Sequence, residues 1–134
     1  MKLVVAEAES AEAQAASDAA DSLVTSPIVY AEVRAALARS RVQRRMQPSE
    51  IDHARRELDA RWMHFAKVAL DDQVVLHAGD VADRHALRAL DALHIASALA
   101  FAEGAADAIT FVSWDRRQRL GAAAEGLALL PETF

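Results

Sequence analysis

"AITFVSWDRRQRLGAAAEGLALLP", residues 108–131, holds a strand, a helix and a second strand in one short run. Its first part, "AITFVSW", is dense in β-branched and aromatic side chains, which suit a pleated and buried surface. The middle, "DRRQRLGAAAEG", is rich in helix formers, and Asp115 stands where a helix cap belongs. "LALLP" then returns to an apolar run that Pro131 ends. Two strands joined through a helix pair in parallel, by a right-handed crossover. The expected fold is therefore α/β: a mainly parallel sheet flanked by helices in three layers.

The same alternation extends upstream. "SLVTS", residues 22–26, reads as a strand, and Ser26 with Pro27 opens the helix "SPIVYAEVRAALARSR". Ser49, after Pro48, is positioned to cap a long amphipathic helix over residues 49–70, in which Ile51, Leu58, Trp62 and Phe65 recur at helical spacing. "QVVLH", residues 73–77, reads as a brief strand, and a helix follows from about Val81 to Glu103, stopping at Gly104. The first twenty residues, rich in alanine and glutamate, favour helix, with Ser10 as a cap. One domain spanning residues 1–134 is long enough to close a core without cross-links.

The chain has no cysteine, so disulfides and thiolate metal sites are excluded and a cytoplasmic location is expected. No apolar run is long enough for a membrane span. A net charge of -5 argues against a general nucleic-acid coat. It is compatible with a nuclease, whose centre needs carboxylates to hold metal while basic side chains act locally.

Three carboxylates stand in unexpected places. Asp91 lies in "LRALDALHIASAL", a helix apolar almost all round, between Leu87 and Ile95 on the helical wheel. Burying an unpaired carboxylate costs several kcal/mol, so Asp91 needs a partner or a cation. Glu32 sits in a row with Ile28 and Ala36, beside Val29, Val33 and Leu37. Asp115 ends the clearest strand, at the sheet edge where open parallel sheets bind ligands. Without cysteine, three converging carboxylates would suit a hard cation such as Mg²⁺ or Mn²⁺, and with it phosphoryl-transfer chemistry. Each residue also has a plain structural role available: Asp115 as a helix cap, Asp91 in a pair with Arg88, Glu32 turned to solvent.

"SPIVYAEVRAAL", "LRALDALHIASAL" and "FVSWDRRQRLGAAAEGLALLP", in this order and spacing, resemble PIN-domain proteins, most closely the VapC-type toxin ribonucleases of bacterial toxin-antitoxin pairs. The resemblance implies a ribonuclease dependent on Mg²⁺ or Mn²⁺, an antitoxin partner that blocks the site, an RNA substrate and a homodimer. It assigns metal binding and catalysis to Glu32, Asp91 and Asp115, and makes Ser113 the small hydroxyl residue before the last aspartate. Ser113 and Arg116 are the expected RNA contacts, since arginine suits phosphate recognition. The family's first strand, central in its sheet, and the aspartate ending that strand have no counterpart, because "MKLVVAEAES" matches only the later part of the following helix. The expectation is that the reading frame extends upstream of Met1, which would stand where a helix of the type "ALVKL" has a valine. An alternative within the family is a shortened module that binds antitoxin without catalysis.

The remaining features have simpler readings. His94, next to Asp91, is expected as a packed core residue. The basic runs Arg34, Arg39, Arg41, Arg44 and Arg45, and Arg116, Arg117 and Arg119, are expected as solvated faces. Trp62 and Phe65 are expected as core or interface anchors, and Tyr30 as lining the cleft or a partner groove. Phosphate-binding glycine loops, nucleophile elbows and paired-histidine zinc motifs are absent from the sequence.

Overall fold

The computed structural model describes residues 22–106 and 108–133, the backbone of Lys2–Val4, and helical positions at Ala15 and Asp18. Two compact units divide the chain, residues 28–65 forming one and the remainder the other.

The larger unit carries a five-stranded sheet, β1 (Lys2–Val4), β2 (Leu23–Thr25), β3 (Ala66–Lys67), β4 (Thr110–Val112) and β5 (Ala128–Leu130), in the order β3-β2-β1-β4-β5. Every pairing is parallel, as the run 108–131 implied; Phe111 is in register with Leu3 on one side and Leu129 on the other. The order reverses at β1, so β1 and β4 flank the switch point beyond whose carboxyl ends ligands bind in open parallel sheets.

β1 corrects the expectation of an empty central position. Lys2–Val4, read from the sequence as part of a helix, pairs with β2 and β4. The apolar, partly β-branched "LVV" suits a strand hydrogen-bonded on both sides. The aspartate expected with that strand is still missing from the sequence, whose first aspartate is Asp18. The cap assigned to Ser10 lies outside the described residues.

Besides the helical positions at Ala15 and Asp18, the described residues of this unit form the helices α3 (Asp72–His85), α4 (Ala89–Gly104) and α5 (Arg116–Ala124). The smaller unit is a pair of packed helices, α1 (Ile28–Val42) and α2 (Pro48–Trp62). Several boundaries differ from the sequence reading, and the single helix expected from about Val81 is divided at residues 86–88, where Ala86 in the left-handed region ends α3 and Arg88 opens α4. The stretch 73–77 is the start of α3, because the Asp71 side chain accepts from the Val74 N–H at 2.9 Å and Val74, Ala78 and Val81 are buried at helical spacing. Helix α2 begins from Gln47, whose N–H donates to the Glu50 carboxylate at 2.6 Å, since Pro48 rather than Ser49 takes the first helical position. It ends at Trp62 rather than reaching Leu70. Ala66–Lys67 pairs with β2 instead, and the Val68 N–H donates to the Thr25 carbonyl at 3.0 Å.

The core lies on the sheet and α4. Val24, Val74, Val81, Ile95, Phe111 and Ala122 form one buried cluster with alanines of α3 and α4. His94 is buried within α4, as expected of a core histidine. Gly121 matters for packing: a Cβ there would stand 2.8 Å from Leu87 Cδ1 and 3.1 Å from Ile95 Cδ1. Its bare backbone lets α5 approach the turn that leads into α4.

The far ends of α3 and α5 are joined by charge. Glu125 Oε1 accepts from Arg84 Nε at 3.0 Å, Arg84 Nη2 at 2.9 Å and His85 Nε2 at 2.7 Å. The hydrogen bond from His85 holds the Glu125 carboxyl below its ordinary range, helped by Arg84 and opposed by burial. A carboxylate with a depressed folded-state value adds stability above its unfolded value and loses it as pH falls through the folded one. Acid titration of unfolding should therefore show stability being lost as pH falls from around the ordinary glutamate value, about 4.3, down through the lower folded-state value. Glu125→Gln should flatten that part of the curve, and an unchanged slope would contradict the assignment.

In the smaller unit Tyr30 joins α1 to α2. Its ring lies 5.3 Å from that of Trp62, which in turn is 6.2 Å from Phe65, and its hydroxyl donates to Asp59 at 2.6 Å. Arg34 donates to the same hydroxyl at 2.9 Å. These aromatics anchor the helical pair, as expected of Trp62 and Phe65.

Candidate functional site

Asp115 follows β4 at the carboxyl end of the sheet and caps α5, its Oδ1 accepting from the Gln118 N–H at 2.9 Å. Ser113 holds it from behind. The Asp115 N–H donates to Ser113 Oγ at 3.1 Å, and Ser113 Oγ donates to Gln118 Oε1 at 2.7 Å. Both Ser113 and Gln118 are buried, so this clip fixes the backbone and side chain of Asp115 before any ligand arrives. Ser113, one of the two expected RNA contacts, is buried, and its hydroxyl makes both of these internal bonds. Gln118 was not singled out in the sequence, although its place three residues after a capping aspartate was a usable signal.

Asp91 occupies the first turn of α4, where a negative charge is favoured by the helix dipole. Its side chain retains only 13% of its exposure, on a helix whose next turns bury Ala92, His94, Ile95 and Ala96. The carboxylate required a partner, and it has one. Arg88 Nε donates to Asp91 Oδ2 at 3.0 Å, while Arg88 Nη2 stands 3.5 Å from Asp115 Oδ2. The hydrogen bond to Asp91 and the charges of both aspartates hold the Arg88 guanidinium above its ordinary value. Both plain readings are thus realised, since Asp91 pairs with Arg88 and Asp115 caps a helix. Yet the two carboxylates also share one cation.

Within the larger unit, two of the three expected carboxylates, Asp91 and Asp115, share Arg88. Glu32 is half-buried on α1, in the smaller unit, and among the described residues no group of three or more histidine, aspartate or glutamate side chains is placed to hold a metal ion. Asp91 and Asp115 nonetheless fit a hard cation. They are oxygen donors, both turned on a single positive charge, and Mg²⁺ is commonly held by one or two carboxylates while it keeps several waters.

Of the basic residues nearby, Arg116 and Arg117 are exposed at the start of α5. Arg119 corrects the expectation of a solvated run. It is buried, and its guanidinium donates to the carbonyls of Pro131 and Thr133, tying the last strand's exit to α5. The first basic run is exposed throughout, as expected. No helix among the described residues is long and apolar enough to cross a membrane.

The family model for the PIN domain matches residues 2–122. Two curated proteins of Mycobacterium tuberculosis, Ribonuclease VapC45 of strain CDC 1551 / Oshkosh and Ribonuclease VapC49 of strain ATCC 25618 / H37Rv, are each 38% identical to the chain over 131 residues. Those alignments cover 98% of the chain and 89% of each relative.

Proposed function

Because the chain belongs to the PIN-domain family, we propose that it is a VapC-like toxin that cleaves RNA with the help of a divalent ion held by Asp91 and Asp115. The observation that carries this reading is the pair itself: two carboxylates from different elements turned on one cation at the carboxyl end of β4. The names of the two relatives support the ribonuclease assignment.

Asp91 and Asp115 would hold Mg²⁺ or Mn²⁺, and Glu32 enters as a third ligand on its place in the sequence, on the helix that follows β2. A divalent ion there supplies a water of lowered pKa and neutralises charge that develops on the phosphate oxygens. The clip from Ser113 and Gln118 keeps the Asp115 carboxylate in place without reorganisation during the reaction. Arg116, exposed beside Asp115, is the side chain proposed to meet an RNA phosphate. The reading carries a cognate antitoxin, a homodimer and a cytoplasmic setting with it.

A second reading is a module that binds antitoxin without catalysis. It is favoured by Arg88, whose guanidinium already engages both Asp91 and Asp115. Incubation of the purified protein with single-stranded RNA separates the two. Cleavage in Mg²⁺ or Mn²⁺ that stops with EDTA and returns when the ion is restored is the expected result. Failure to cut under any of these conditions, with antitoxin binding retained, would establish the second reading.

A further inference from the structure

Arg88 has an unusual position for a surface arginine. Its side chain keeps 69% of its exposure, while Asp91 behind it keeps 13% and Asp115 keeps 43%. The positive charge therefore lies on the solvent side of a more sheltered pair of carboxylates. The carboxylates themselves are fixed, Asp115 by its cap and the Ser113 clip, and Asp91 by its place in the first turn of α4. The guanidinium is attached through a long, flexible stem. Exposed ion pairs are weak and screened by salt, so the arginine can leave readily where the carboxylates cannot.

Its contacts fall on Oδ2 of Asp91 and Oδ2 of Asp115. A hard cation drawing on both residues competes for those oxygens, and a divalent ion and a guanidinium repel each other at such distances. Resting on the metal reading above, we propose that Arg88 is a tethered counter-cation that occupies the carboxylate pair in the metal-free protein and is displaced when a divalent ion binds. Competition within the chain then lowers the apparent metal affinity. It also keeps two neighbouring carboxylates from repelling each other while no ion is bound.

The test is Mn²⁺ binding, followed through the electron paramagnetic resonance signal of the free ion, in the parent, Arg88→Gln, Arg88→Lys and the double variant Asp91→Asn/Asp115→Asn. Circular dichroism checks that each is folded. Arg88→Gln should bind Mn²⁺ about three- to tenfold more tightly, with Arg88→Lys between it and the parent. In the parent, titration with Mg²⁺ should move the Arg88 Nε–H resonance away from its hydrogen-bonded position. Equal or weaker Mn²⁺ binding by Arg88→Gln overturns the proposal, as does an Arg88 resonance that stays still while the ion binds. Undiminished Mn²⁺ binding by the double aspartate variant overturns the metal reading itself, a result distinct from either of these.

Discussion

Asp91→Asn is expected to lower divalent-dependent RNA cleavage by about 100-fold or more, since loss of even the outer partners of a metal ligand costs about 10- to 100-fold. The substitution keeps size and shape and removes one negative charge from the pair facing Arg88. The fold should survive it. Asp91 sits at the first turn of α4 and not among the fully buried side chains, and asparagine can still accept from Arg88 Nε. Thermal unfolding of the variant should therefore stay close to that of the parent while cleavage collapses. Equal cleavage by the two proteins would remove Asp91 from the chemistry and leave it as a helix-end partner of Arg88.

Phe111→Ala should give the largest loss of stability, about 3–5 kcal/mol. Phe111 is fully buried in β4, in register with Leu3 and Leu129, and belongs to the cluster that joins sheet and helices. A margin for a domain of this size is about 5–15 kcal/mol, so the variant should be marginal at best. Urea unfolding followed by circular dichroism measures the shift in midpoint. A change below about 1 kcal/mol would mean that the core is not built around β4. The residue also matters for the site, because the strand it anchors delivers Ser113 and Asp115 two and four residues later.

Phe111 belongs to the part of the fold that was readable from the residues. Strand, helix and strand over 108–131 imposed parallel pairing, and β4, α5 and β5 follow that order. The stretch 73–77 was misread because a short β-branched run looks the same at the start of a helix as in a strand. The Asp71 cap and the burial of Val74, Ala78 and Val81 decide in favour of helix. Residues 63–67 carry no sequence breaker, yet α2 ends with Met63 as its C-cap and Ala66–Lys67 pairs with β2. Nor could local pattern place Lys2–Val4 at the centre of the sheet, since that position depends on partners twenty and more than one hundred residues away.

The site was legible to the extent that charge conflicted with pattern. Asp91 stood out because an apolar helix has no use for an unpaired carboxylate, and the structure supplies the partner that the conflict demanded. Asp115 was legible from its place after a strand. The place of Ser113 before Asp115 is legible, whereas its burial and its bond to Gln118 come from packing that spacing only hints at. That one guanidinium would span both aspartates depends on how the starts of α4 and α5 come together, which no periodicity encodes.

Everything proposed for the site depends on Asp91 and Asp115 together holding a divalent ion. Calorimetric titration of Mn²⁺ into the parent protein and into Asp91→Asn/Asp115→Asn measures this. Saturable binding should appear in the parent and disappear in the double variant. Equal binding by both proteins, or no binding by the folded parent, would contradict it.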